Sequence, residues 1–219
     1  MAGRAQRIVV CVAILGAAAC DSPTLFVASP GYNPTSLAPF IYHWPAGHTI
    51  AIYADRTEEP PGADLLAAVK DGIAAWEAVA RLGEIRLRVV SDVHDADVVF
   101  HHSRAPRLVE SDVCSPFDIG AGGYTFFCLT DDLDPVTLGL VDGTGGRVMM
   151  DVAVNRFALD TAAFFPALVV HEMGHVLGIG AHSPNPADLM YGRPRRFAPT
   201  EADATTLRYV LARKPDVIF

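Results

Sequence analysis

The sequence predicts an α/β (α+β) domain built on one twisted mixed sheet of about four to five strands. A long helix and a second apolar helix pack on that sheet, and a small C-terminal part carries one more helix. Two observations lead there. Short runs that alternate apolar and polar residues recur along the chain, and each of the three helical stretches repeats its apolar residues every three to four positions. Their order is strand, long helix, two strands, loops, strand, helix, loop, helix.

Ile50 and Ile52 share one face of a candidate strand over 48–53. A turn-rich stretch, 57–62, holds Pro60 and Pro61. Leu65, Val69, Ile73, Trp76 and Val79 then recur at helical spacing from Asp64 to Ala80, with Gly83 just beyond as a stop. Trp44 and Trp76 read as core anchors. Ile85, Leu87 and Val89 alternate with Arg86 and Arg88 in a half-buried strand. Further strands are expected at 96–100, 124–129 and 148–154, the last from the alternation of Val148, Met150, Val152 and Val154 after two glycines. Residues 167–177 form an apolar helical run with Pro166 in its first turn. Thr200 and Asp203 read as the N-cap of a last helix, whose apolar face is Leu207, Val210 and Leu211.

Composition sets bounds. The 219 residues are 51% hydrophobic and 19% charged, enough apolar material for a packed core and against wholesale disorder. The net charge is −8, and no basic stripe offers itself to nucleic acid. Residues 1–19 have the pattern of a secretory signal: Arg4 and Arg7, an apolar run from Ile8, and small residues at 17–19. That run of about 12 residues is shorter than the roughly 20 that a membrane-spanning helix needs.

Cys20 follows the three alanines where a bacterial lipoprotein carries its lipidated cysteine. The expectation is an exported chain, either lipid-anchored through Cys20 or secreted. Residues 20–40, rich in Pro, Ser, Thr and Asn, read as a flexible tether. The domain proper is expected over 41–219. Cys114 and Cys128 are then an even pair in an exported chain, so a disulfide is expected. It closes a loop of about 15 residues, worth about 3 kcal/mol in the chain-entropy picture.

The chemistry concentrates in the run His171-Glu172-Met173-Gly174-His175-Val176-Leu177-Gly178-Ile179-Gly180-Ala181-His182-Ser183. Its first five residues are the HExxH pattern. Residues four apart stand on one helix face, so His171 and His175 can turn ring nitrogens to one cation. Two imidazoles suit zinc. Glu172 points to the neighbouring side, placed to act as a general base. Gly178 offers the backbone freedom to end the helix, and the chain can bend back there to bring His182 as a third ligand.

This run resembles the metzincin zinc metallopeptidases, and among them the matrixins. Their pattern puts the third histidine three residues after the glycine; here His182 follows Gly178 by four, an insertion within 179–181. Ser183 after His182 and Met190 eight residues on agree with the family's register. The resemblance covers 41–213 through element order. It implies a zincin fold and a zinc endopeptidase acting as a monomer on a peptide or protein, with Glu172 as general base. Met190 is then the structural methionine beneath the ligands, and the strand at 147–154 the sheet edge on which an extended substrate lies.

Two other readings use the same residues. One is a zinc-binding surface protein without turnover. The other takes Glu201 as the third ligand in place of His182. Weaker signals are a second metal at His94, His101 and His102, weighed against polar residues at the surface or at strand ends. Asp131, Asp132, Asp134 and Asp142 could hold calcium, weighed against solvated loop carboxylates. Tyr191 could donate a hydrogen bond into the site, and Arg193, Arg195 and Arg196 form a small basic cluster in the following loop.

Overall fold

A computed structural model describes residues 29–37, 40–59, 62–81, 83–102, 123–129, 148–154 and 164–218. The expected signal, Cys20, Cys114 and the acidic positions 131–142 lie outside the described residues, and with them the lipidation, disulfide and calcium expectations.

The chain is a mixed α/β domain. Strand β1 (Tyr42–His43) and β2 (Ile50–Asp55) precede helix α1 (Leu65–Val79). Then follow β3 (Leu87–Val89), a 3-10 turn (Val93–Asp95), β4 (Val98–His101), β5 (Gly123–Leu129) and β6 (Val148–Val154). Helix α2 (Phe165–Val176), helix α3 (Glu201–Leu211) and β7 (Val217–Ile218) complete it. Five strands form one sheet in the order β3-β2-β4-β6-β5. The first four are mutually parallel, and β5 runs antiparallel to β6 with Gly123 opposite Val154 and Leu129 opposite Val148. β1 and β7 pair parallel in a separate two-stranded sheet.

Strand alternation sorts the side chains. Ile50, Ile52, Val98, Phe100, Val152 and Val154 belong to the main core with Leu65, Val69 and Trp76 of α1 and Leu168, Val169, Met173 and Val176 of α2. Ala51, Val90, Ala96 and Val99 form a smaller cluster. Asp64 caps α1 by accepting from the Ala67 N–H, and Gly83 follows with φ +84°. α1 and α2 pack directly, and the Trp76 indole donates to the Val170 carbonyl at 2.8 Å. Small residues permit this approach. A Cβ on Gly72 would stand 3.1 Å from the Met173 methyl, and one on Gly174 would stand 2.7 Å from the Trp76 ring.

Two expectations change. The strand over 148–154 is not the sheet edge: β6 lies between β4 and β5, and among the described residues β5 is the last strand on that side. Residues 29–37, which composition reads as tether, lie on the domain. Gly31 N–H donates to Thr206 Oγ1, the Tyr32 hydroxyl to Asp203, and Leu37 N–H to the Gly180 carbonyl. Tyr32 is buried. No helix among the described residues is long and apolar enough to cross a membrane.

Candidate metal centre

α2 carries the first two histidines and the glutamate, and its C-terminus sets up the third. The Gly178 N–H donates to the His175 carbonyl at 3.0 Å and the Ile179 N–H to the Gly174 carbonyl at 3.1 Å. This double closure is the Schellman motif, and Gly178 sits at its positive-φ position with φ +114°. Two side chains from the β1 region meet the helix's last carbonyls: the Tyr42 hydroxyl donates to His175 O and the Trp44 indole to Val176 O, each at 2.8 Å. A Cβ at residue 178 would stand 2.5 Å from the Tyr42 carbonyl. Gly178→Ala is therefore expected to cost about 1–3 kcal/mol, read as a lower denaturation midpoint. An unchanged midpoint would show that the turn tolerates a side chain.

The turn also orients a ligand. His175 Nδ1 lies 2.6 Å from the Ile179 carbonyl that the Schellman turn brings back over the helix. His171 Nδ1 lies 2.8 Å from the Leu189 carbonyl. A carbonyl only accepts, so both Nδ1 atoms carry the proton and both Nε2 lone pairs are left for a cation. Burial holds both rings neutral: it pushes His175 down to about 4, and pushes His171 well below the ordinary histidine value. Neighbouring imidazoles add to the effect. Neutral imidazole is the form that binds a metal.

His182 closes the group. Its ring centroid lies 5.1 Å from that of His171 and 5.3 Å from that of His175, and those two rings are 4.9 Å apart. One nitrogen from each of the three lies within 4.8 Å of the others. A tetrahedral site with Zn–N near 2.05 Å separates its ligands by roughly 3.3 Å, so the nitrogens need close by no more than about 1.5 Å. These three residues could hold a metal ion, and the donor set fits one. The bend between Gly178 and His182 is packed: Ile179 and Ala181 are buried and the Gly180 carbonyl accepts from Leu37 N–H.

His182 is held from the loop behind it. Ser183 N–H donates to the Met190 carbonyl at 2.7 Å, and Ser183 pairs in a parallel bridge with Tyr191. The Ser183 hydroxyl donates to Asp188 at 2.6 Å. Gly192 backs the ring closely: a Cβ there would stand 3.1 Å from His182 Nδ1, a tight contact. Met190 is fully buried, its thioether against Gly174.

Glu172 is 3% exposed. Its carboxylate lies 2.8 Å from the Thr125 hydroxyl of β5, which donates to it. Burial pushes this carboxyl up to about 8, with the Thr125 bond pulling the other way. A cation at the three imidazoles would favour the carboxylate further.

Asp203 and Asp188 escaped the sequence reading as parts of the site. Asp203 is fully buried in α3 and accepts from the N–H groups of Leu189, Met190 and Thr200 and from the Tyr32 hydroxyl. The Thr200–Asp203 capping box is formed as expected. The Thr200 hydroxyl stands 2.8 Å from Asp188 and 2.9 Å from Asp203, with one proton for the two. An Asp in a helix's first turn and another in the loop before it give no sign of such burial in sequence.

Other candidates lie elsewhere. Glu201 is turned away: its side chain is 82% exposed and pairs with Arg208 at 3.1 Å. That removes it as a third ligand. His94 is exposed on the 3-10 turn, whereas His101 and His102 are buried at the end of β4 rather than on the surface. They join no metal-ligating group among the described residues. Arg193, Arg195 and Arg196 are exposed, and Arg196 donates to the Ala187 carbonyl. Tyr191 is half-buried. No family model matches the chain, and no curated protein matches it.

Proposed function

We propose that this chain is a zinc-dependent endopeptidase of the metzincin kind, matrixin-like in its ligand run. The observation that carries the reading is the juxtaposition of a three-imidazole group with the buried carboxylate of Glu172. A scaffold that only held a metal has no use for that carboxylate. The strand order, in which the last strand on one side among the described residues is antiparallel and packs beside the HExxH helix, supports the same reading.

Zinc, when bound, supplies an acidified water and polarises the scissile carbonyl. His171, His175 and His182 hold it, with the first two oriented through their Nδ1 hydrogen bonds. Glu172 takes the proton of the attacking water on its carboxylate and returns it to the departing amine. The Thr125 hydroxyl holds that carboxylate in place, which ties the base to β5. An extended peptide lies along β5 in place of the expected β6, and main-chain hydrogen bonds there bring the peptide bond to the histidines.

The test is cleavage of an unstructured protein by the purified chain before and after zinc is chelated. Cleavage is expected to stop on chelation and to return with zinc. His182→Ala is expected to lower zinc affinity severely, while Glu201→Ala leaves it unchanged. Cleavage that persists in the chelated protein, or its absence in the zinc-loaded protein, would overturn the proposal.

A further inference from the structure

Residues 29–37 touch the domain at two places that matter to the histidines. At one end Leu37 N–H pairs with Gly180, inside the bend that delivers His182. At the other, Tyr32 donates to Asp203 Oδ1 at 3.0 Å. Asp203 Oδ2 in turn receives the Leu189 N–H at 3.0 Å, and the carbonyl of Leu189 receives the proton of His171 Nδ1. Oδ1 also receives the Met190 N–H, and the Met190 carbonyl receives the N–H of Ser183, next to His182. One ligand, His171, is therefore held by the Leu189 carbonyl and the residue after another, His182, by the Met190 carbonyl, and the N–H groups of Leu189 and Met190 share one buried carboxylate.

That carboxylate is fully buried, and no ion pair with a cation neutralises it among the described residues. Among the described residues hydrogen bonds satisfy it, and Tyr32 is the one side chain outside 188–203 that contributes. A buried carboxylate stripped of a donor leans harder on those it keeps, and these include the Leu189 and Met190 peptides that lie between it and the histidines. Burial and the adjoining carboxylates push the Tyr32 hydroxyl above its ordinary value, so it remains a donor. The strap fits tightly beside it: a Cβ on Gly31 would stand 2.5 Å from the Ala202 carbonyl and 2.7 Å from Ala202 Cα.

We propose that Tyr32 and Asp203 are positioning residues for the metal site, and that docking of the 29–37 strap on α3 sets how tightly the histidines hold their cation. The proposal rests on the reading of His171, His175 and His182 as metal ligands. It makes the N-terminal strap a control element: a partner or a protease that lifts it weakens the metal without touching a ligand.

The test uses the full chain with zinc and, separately, cobalt(II). Tyr32→Phe removes one hydroxyl and keeps the ring. Gly31→Val pushes the strap from Ala202 without altering any hydrogen-bonding side chain. Each is expected to raise the zinc dissociation constant about tenfold, the low end for an outer-shell partner, and to shift the cobalt(II) ligand-field spectrum. The double variant is expected to add little to either, because both act by one route. Asp203→Asn is expected to do more; should it fail to fold, the two strap variants still decide. If both strap variants fold, bind zinc as tightly as the parent and give the parent's spectrum, the positioning role is wrong while the ligand assignment stands. A parent chain that binds neither metal would overturn both.

Discussion

Glu172→Gln is expected to keep zinc and lose turnover by a factor on the order of 10²–10⁴, the range that positioned general bases contribute. The side chains have the same shape, and the amide can still accept from Thr125 through its oxygen. What it lacks is basicity. The three imidazoles are untouched, so metal content and the unfolding midpoint should follow the parent closely. The decisive readout is the pair of numbers, zinc per chain and rate of peptide cleavage, measured on one preparation. A variant that cleaves as fast as the parent would remove Glu172 from the mechanism. One that loses its zinc as well would mean that the carboxylate serves the metal and not the water.

Trp76→Ala should give the largest loss of stability, about 3–5 kcal/mol as measured by equilibrium denaturation. Trp76 is fully buried and fills the space between α1 and α2. Its indole also satisfies the carbonyl of Val170, the residue directly before His171. Typical domains hold only about 5–15 kcal/mol in total, so this single truncation removes a large share. The ring also backs Gly174, so the cavity opens directly behind the turn that carries His171 and His175. A loss below about 1 kcal/mol would show that the helices are held together elsewhere.

Local pattern made much of this legible. The spacing of Leu65, Val69, Ile73, Trp76 and Val79 placed α1 to within a residue at each end, because propensity, capping by Asp64 and burial agree there. Thr200 and Asp203 announced α3 for the same reason. Strand order was not legible. The alternation of Val148, Met150, Val152 and Val154 reports which residues share a face, and it is the same whether a strand is central or outermost. Nor was the strap: three hydrogen bonds and one buried tyrosine leave no periodic trace among prolines and serines. Around the histidines, the ligands could be named because a helix fixes their spacing. Thr125, Asp188, Gly192 and Leu189 could not, since each meets its partner through the fold or through a main-chain carbonyl that no side chain advertises.

The pairing of β1 with β7 has a consequence for synthesis. Ile41 and Asp216 exchange hydrogen bonds across 175 positions, and Tyr42 and Trp44 follow directly in the same strand region. At about 5–20 residues per second, a ribosome adds Asp216 some 10–35 s after Ile41. For about the last 40 of those residues, some 2–8 s, the nascent chain has α2 but not the strand that steadies the two aromatic donors at its end. The helix bearing the histidines thus emerges before its C-terminal carbonyls can be sealed, and translation order leaves the completed pocket until late.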